Sequence, residues 1–499
     1  MYEKVLSGLE DKLAKERNFI KSFFQFSMGQ WIAAFISFIT TPIITWLIIP
    51  VEFGKASMFT LAFNLLLTIA LLGVDQSFVR MFYERPEDDR RNLFWESLLP
   101  SLTVGFVIFI VIGFFWKELS FILFGDYTHF LPVFLLGVIV LLGVVERFAT
   151  LTVRMKKRGI AFSALRIVNG ITNAAFTILY ALFVSRTFYA VIVGLFFSHI
   201  ASALLAIYFE RDLWFGKLKI DFGSINAIIK YGLPFVPAFL ITWLFQSIDR
   251  LALRNYCDFT EIGLYSAAFK VVAVMNLIQA GFTTFWTPVS FESYEKEPES
   301  TGIFEKTSLF IAAAMFVFGM LIIVFKDAIF LLLESSYRQA AGISAFLILM
   351  PIMYTVSEVT VVGINFKKKT HWHMLIAAVS AGFNIFGNIL LVPLYGARGA
   401  AFSTGLSYIV FFCMRTFISK KLYKVNYHLD KFFSATLIFV VVAFINTFVR
   451  NTVWQILSAV CGLIFVLAIY NNEVRYMFDL VLGELGRIAK PKEQAPKTP

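Results

Sequence analysis

FGKASMFTLAFNLLLTIALLGVDQSFVRMFYE (residues 53–84) and IGLYSAAFKVVAVMNLIQAGFTTFWTPVSFE (residues 262–292) resemble one another at a shift of about 209 positions. Each is apolar for long enough, at about 1.5 Å per residue, to cross a hydrocarbon layer about 30 Å thick. The shift recurs elsewhere. Glu146 precedes the basic run Arg154 to Arg158 much as Glu358 precedes Lys367 to Lys369, and Asn173 falls near Asn384 at a similar offset. Six helices plus a connecting loop are therefore expected to be duplicated. An even number of spans per copy leaves both copies in one orientation, as parallel repeats about an axis along the membrane normal.

The composition around these stretches agrees: 59% of the 499 residues are hydrophobic, 17% aromatic and only 15% charged, which excludes a soluble globular chain. Apolar windows fall at roughly 22–48, 56–79, 93–115, 129–151, 162–184, 187–209, 227–253, 262–288, 304–325, 339–363, 371–394, 396–419, 432–449 and 452–470. The expected fold is an all-α polytopic membrane protein of about fourteen helices. Very short turns late in the chain leave twelve open. The expected organisation is a cytoplasmic amphipathic segment (1–21), an N-lobe (22–209), a cytoplasmic inter-lobe loop (210–226), a C-lobe (227–419), two extra helices (430–470) and a cytoplasmic basic tail (471–499), with a cavity between the six-helix lobes.

The N-terminus lacks the short apolar core and cleavage site of a signal peptide. With that end in the cytoplasm, about 31 of the 44 basic residues fall on the cytoplasmic side, about 8 outside and about 5 within spans. Arg85, Arg90, Arg91, Lys420, Lys421, Lys424, Arg487, Lys490 and Lys492 join the runs above as topology signals beside anionic lipid, and they account for the net charge of +11 without a nucleic-acid partner. Cys257, Cys413 and Cys461 have neither disulfide nor metal spacing.

YGLPFVPAFLITWLFQSIDR (residues 231–250) opens the second half with Pro234 and Pro237, each of which removes a backbone donor, so this helix is expected to bend as a hinge. Its end carries Asp249 and Arg250. Adjacent residues do not share a helical face, so the two are expected to have different partners. Charges within spans are costly and mark functional sites by default. By that rule the candidate cations are Arg80, Arg147, Arg166, Lys230, Arg250 and Lys270, with Lys230 close enough to a helix end to snorkel. Glu146 and Glu358, at corresponding places in the two halves, and Asp75, one and a half turns before Arg80, complete the set with Asp249. A carboxylate in a poorly solvated site can exchange protons or bind sodium. Glu146 and Glu358 are therefore the coupling candidates, and because Arg147 follows Glu146, a neutralised structural pair somewhere in that lobe is the competing explanation. Trp31, Trp46, Trp243, Trp286 and Tyr265 can anchor at interfaces or stack on sugars. His371 and His373 are assigned neither metal nor catalysis.

YGLPFVP, SIDR, EIGLYSAAFK and NIFGNILLVPLYGARGAAFSTGLS (from Asn384) resemble the polysaccharide flippases, the Wzx-like transporters of the multidrug/oligosaccharidyl-lipid/polysaccharide exporter superfamily, over nearly the whole chain. The resemblance implies a fourteen-helix, two-lobed flippase working by alternating access. It would carry undecaprenyl-diphosphate-linked oligosaccharides to the outer leaflet for O-antigen (lipopolysaccharide), capsule or exopolysaccharide synthesis. For such a diphosphate headgroup the intramembrane cations Lys270, Arg250, Arg80, Arg147 and Arg166 are the candidate substrate contacts, with Glu146, Glu358, Asp249 and Asp75 as coupling or gating candidates, and the resemblance suggests a polysaccharide polymerase as a partner. A monomer suffices for such a cavity. The expected location is the cytoplasmic membrane of a bacterium or archaeon, multi-pass, with both termini cytoplasmic. No organic cofactor or metal is expected, and coupling to H+ or Na+ is open. A cation-coupled multidrug exporter and a lipid II flippase of the same superfamily are the competing transporters, although the charges here lean basic. An integral-membrane polymerase or ligase is the enzyme alternative. Short external loops around Lys117 to His129 and Lys326 to Arg338, and the lack of a nucleotide-binding or nucleophile motif, argue for no enzyme.

Overall fold

The computed structural model describes residues 28–216, 218–476 and 479. The expected amphipathic segment 1–21 and most of the basic tail lie outside the described residues. Among those described there is no strand, and fourteen helices are long and apolar enough to cross a membrane. They are α1 Met28–Leu47, α2 Pro50–Leu71, α3 Glu87–Phe114, α4 Phe130–Met155, α5 Gly159–Phe183, α6 Tyr189–Phe209 and α7 Phe222–Tyr256. The second seven are α8 Phe259–Lys296, α9 Gly302–Leu331, α10 Ala340–Thr360, α11 His371–Tyr395, α12 Ala397–Leu422, α13 Leu429–Phe448 and α14 Thr452–Ile469.

Local chemistry moves several boundaries from their expected places. Pro50, whose fixed φ suits a first helical turn, starts α2 six residues before the apolar window. The helix stops at Leu72 (φ 50°) and Gly73 (φ 69°), then resumes as Val74–Met81. Gly73 is needed for space as well as for its backbone, since a Cβ there would lie 2.2 Å from the Gly232 carbonyl oxygen. Asp221 starts α7 inside the expected loop, its carboxylate accepting from the Gly223 and Ser224 amides at 3.0 and 3.1 Å. At Pro234 the helix gives way to a 3-10 turn, Leu233–Phe235, and it continues from Val236 with Pro237 in the new first turn.

The duplication is visible in side-chain contacts. Glu52 accepts from the Phe188 amide at 2.9 Å beside the start of α6, and Glu261 accepts from the Ala397 amide at 2.6 Å at the start of α12. Helices α2 and α8 meet reciprocally. A Cβ on Gly54 would lie 2.0 Å from the Phe259 carbonyl oxygen, one on Gly263 would lie 2.0 Å from that of Pro50, and the Ser57 and Ser266 hydroxyls, 209 residues apart, are 2.7 Å from each other. Such self-complementary contact defines a local twofold axis. Each residue meets its own counterpart or the residue one turn before it, so the two helices run in the same sense through the crossing. That is the signature of parallel repeats and is incompatible with inverted ones.

Contact density divides the chain into two compact units. One takes in the described residues up to Leu277 with Phe330–Ala340 and Asn384–Ala400; its core includes Ala149, Val153, Leu165 and Ala206, and Phe176 stacks on Phe197 at 4.1 Å between α5 and α6. The other takes in Ile278–Ile329, Ala341–Phe383 and the described residues from Ala401. Trp286 is buried there with Phe304, Phe366 and Tyr427, which removes it from the sugar-stacking and interfacial roles open to it in the sequence. The buried Lys326 of α9 bonds Asp327 at 2.8 Å and Gln455 of α14 at 2.9 Å, tying one of the two extra helices to the body of this unit.

Candidate functional site

Asp249 is buried near the end of α7, where an unpaired carboxylate would be expensive. It accepts from the Tyr265 hydroxyl at 2.7 Å, Asn388 Nδ2 at 2.9 Å and Asn384 Nδ2 at 3.2 Å. Asn384 and Asn388 lie one turn apart on α11 and so present to the same carboxylate. Arg250 turns elsewhere, as expected of its neighbour. Its guanidinium lies 5.7 Å from the Tyr265 ring centroid and 5.3 Å from that of Phe269, and it has no carboxylate partner among the described residues. Tyr265 therefore serves both, through its hydroxyl and through its ring.

Lys270 follows one turn later on α8. Its ammonium lies 4.9 Å from the Phe53 ring centroid and makes no ion pair or hydrogen bond among the described residues. A cation held by an aromatic face keeps its capacity to bind an anion, whereas one held by a carboxylate does not. The stretch 265–270 thus gathers three of the sequence-derived candidates, Asp249, Arg250 and Lys270.

A second cluster lies among the helices of the first repeat. Arg147 of α4 donates to buried Asp75 through Nη2 at 2.7 Å and Nε at 3.2 Å. Its neighbour Glu146 turns away to His199 of α6, with Asn169 of α5 at 3.4 Å from its other oxygen. Arg166 lies in the electrostatic field of Glu146, Arg147 and Arg154 and against the Phe162 ring. Arg147 and Glu146 diverge as adjacent residues on a helix, and the neutralised pair in this lobe is the one between Arg147 and Asp75. Arg80 pairs with exposed Glu84 at 3.1 Å, apart from Asp75.

In the other unit, Glu358 meets Arg415 of α12 at 2.8 Å, and Arg415 also bonds the Ser357 hydroxyl at 2.6 Å. Sequence reading missed Arg415, which looks like the start of the basic end at Lys420 and Lys421, yet it is buried. It also missed His199, the one titratable side chain in the middle of an otherwise apolar α6, and the role of Asn388. Among the described residues, no group of three or more His, Cys, Asp or Glu side chains converges as a metal centre would require.

Among the described residues, fourteen apolar helices that hold partnered charges within them define a multi-pass membrane protein. The family follows: the chain belongs to the polysaccharide biosynthesis proteins, whose family model matches residues 19–294, more than half its length. An uncharacterised membrane protein of Methanocaldococcus jannaschii is 20% identical over 452 residues, covering 84% of this chain and 88% of that one. Among solved structures, the lipid II flippase MurJ in an inward closed conformation shares the fold with a TM-score of 0.68 at 15% identity, covering 90% of this chain and 99% of that one. A Vibrio cholerae MATE transporter gives 0.56 at 13% identity over 80% and 96%.

Proposed function

We propose that the protein flips undecaprenyl-diphosphate-linked oligosaccharide units across the cytoplasmic membrane of a bacterium or archaeon, with its basic loops and both termini in the cytoplasm, for cell-surface polysaccharide synthesis. The observation that carries this reading is Lys270, a cation within a span with an aromatic neighbour and no carboxylate. A diphosphate supplies the missing negative charge, and the family supplies the saccharide. Arg250, likewise held by rings, adds a second donor for the same headgroup. Asp75 holds Arg147, leaving it a supporting role, and exposed Arg80 and Arg166 serve substrate entry. The carboxylates within spans, buried Asp249 and the partly exposed Glu146 and Glu358, are where a coupling cation, H+ or Na+, would act. The bend at Pro234 and Pro237 provides the hinge.

The test is flipping of a fluorescent undecaprenyl-diphosphate oligosaccharide in proteoliposomes by the parent chain and Lys270→Ala, at equal insertion. Parent activity reduced at least about tenfold in the variant is expected, because an intramembrane charge contact is worth more than about 1.4 kcal/mol. Equal flipping by both removes Lys270 from the site. Transport of lipid II alone, or of cationic dyes alone, would replace the substrate assignment.

A further inference from the structure

Both halves place a glutamate on the fourth helix of the repeat and a cationic or protonatable partner on the sixth, but the partners differ in kind. Glu358 faces Arg415, whose guanidinium stays charged at every accessible pH. Glu146 faces His199, and histidine is the side chain that changes charge between about pH 5 and 8. We propose that Glu146 and His199 form the proton-binding site that couples transport to a proton gradient, and that Glu358 with Arg415 is a permanent ion pair. This rests on the transport reading above and narrows its coupling step to one of the three carboxylates.

The surroundings fit a site that loads and unloads one proton. The side chains of His199 and Glu146 are 12% and 17% exposed, partly shielded yet open enough to exchange. His199 presents Nδ1 to one carboxylate oxygen of Glu146, and the Phe63 ring of α2 lies 5.0 Å from the imidazole. From α5 come the neutral amide of Asn169 and the cation Arg166. On α4, Arg147 is already neutralised by Asp75 of Val74–Met81, and Arg154 lies two turns on. On α2, Glu52 pairs with Lys55, and on α3, buried Glu96 accepts from the Ser224 hydroxyl. Helix α6 adds only Tyr189 and Tyr208 near its ends. The step balances simply: the pair with one proton is imidazolium beside carboxylate, and its release leaves neutral imidazole beside carboxylate and one proton in solution. Loss of the proton removes the charge–charge attraction joining α6 to α4 and leaves at most a neutral N–H hydrogen bond.

Two readouts test this. In detergent, histidine-labelled protein has five imidazole signals, and His199→Gln identifies one of them. That signal is expected to report gain and loss of a proton and to respond differently in Glu146→Gln. A signal that reports no proton exchange, or one indifferent to Glu146→Gln, overturns the proposal whether or not any lipid is transported. In proteoliposomes, His199→Arg copies the permanent pair of the second half and keeps the interhelical contact. It should abolish the response of flipping to an imposed pH gradient, whereas an undiminished response would overturn the proposal. If the parent flips no lipid-linked oligosaccharide, the substrate reading fails and the titration alone decides the proton site.

Discussion

Tyr265 separates two roles that its neighbours need, and substitution can separate them too. Tyr265→Phe keeps the ring under Arg250 and removes one hydrogen bond to Asp249. Interhelical hydrogen bonds in membranes average about 0.6 kcal/mol and reach about 1.7, so a loss near 1 kcal/mol is expected in thermal unfolding in detergent. Asp249→Ala strands the donors of Tyr265, Asn384 and Asn388 together and should cost about 1–3 kcal/mol. Arg415→Ala is the more severe change, about 3–5 kcal/mol, because it leaves Glu358 as an unpaired charge within a span. Restoration of much of that loss by adding Glu358→Gln would identify the ion pair as the cause. The sequence marks Glu358, Asp249 and Lys270 as costly charges, but their partners come from helices tens to more than a hundred residues away, and one chain carries no record of which helix lies opposite.

At the level of elements, the α2–α8 crossing gives the sharpest expectations. Gly54→Val or Gly263→Val puts a branched side chain into a carbonyl oxygen and should destabilise by about 1–3 kcal/mol or force the helices apart. Ser57→Cys with Ser266→Cys, in a background lacking the three native cysteines, should oxidise to an intramolecular disulfide seen as a mobility shift on a non-reducing gel. Failure to cross-link would contradict the twofold contact. At the start of α4, outside the spans, burial lowers the His129 pKa below its ordinary 6.5, with Lys55 as the next contributor. The folded chain therefore resists the proton that the unfolded chain accepts. The stability that His129 contributes is present above pH 6.5 and is lost as pH falls below it. The melting temperature should rise from about pH 5 to 7, and His129→Asn should flatten that slope.

For the molecule as a whole, the basic asymmetry of the loops predicts orientation. Reporter fusions at Lys157 and Lys368 should read as cytoplasmic, and fusions at Asp126 and Ser185 as external. The reverse pattern would invert the proposed direction of transport.

Hydropathy and a 209-residue self-similarity determined the class and the parallel repeat, with twelve or fourteen spans left open, because lipid forces every spanning backbone to satisfy itself as a helix and an even repeat keeps its orientation. These are properties of local composition, so one chain suffices to read them. The tertiary structure decided the rest: that Glu146 belongs to His199 and Arg147 to Asp75, that Arg415 neutralises Glu358, and that Gly54 and Gly263 are glycines for contact with one another's helices. Pairing energies fall off within a few ångströms, and only folding brings those residues within reach.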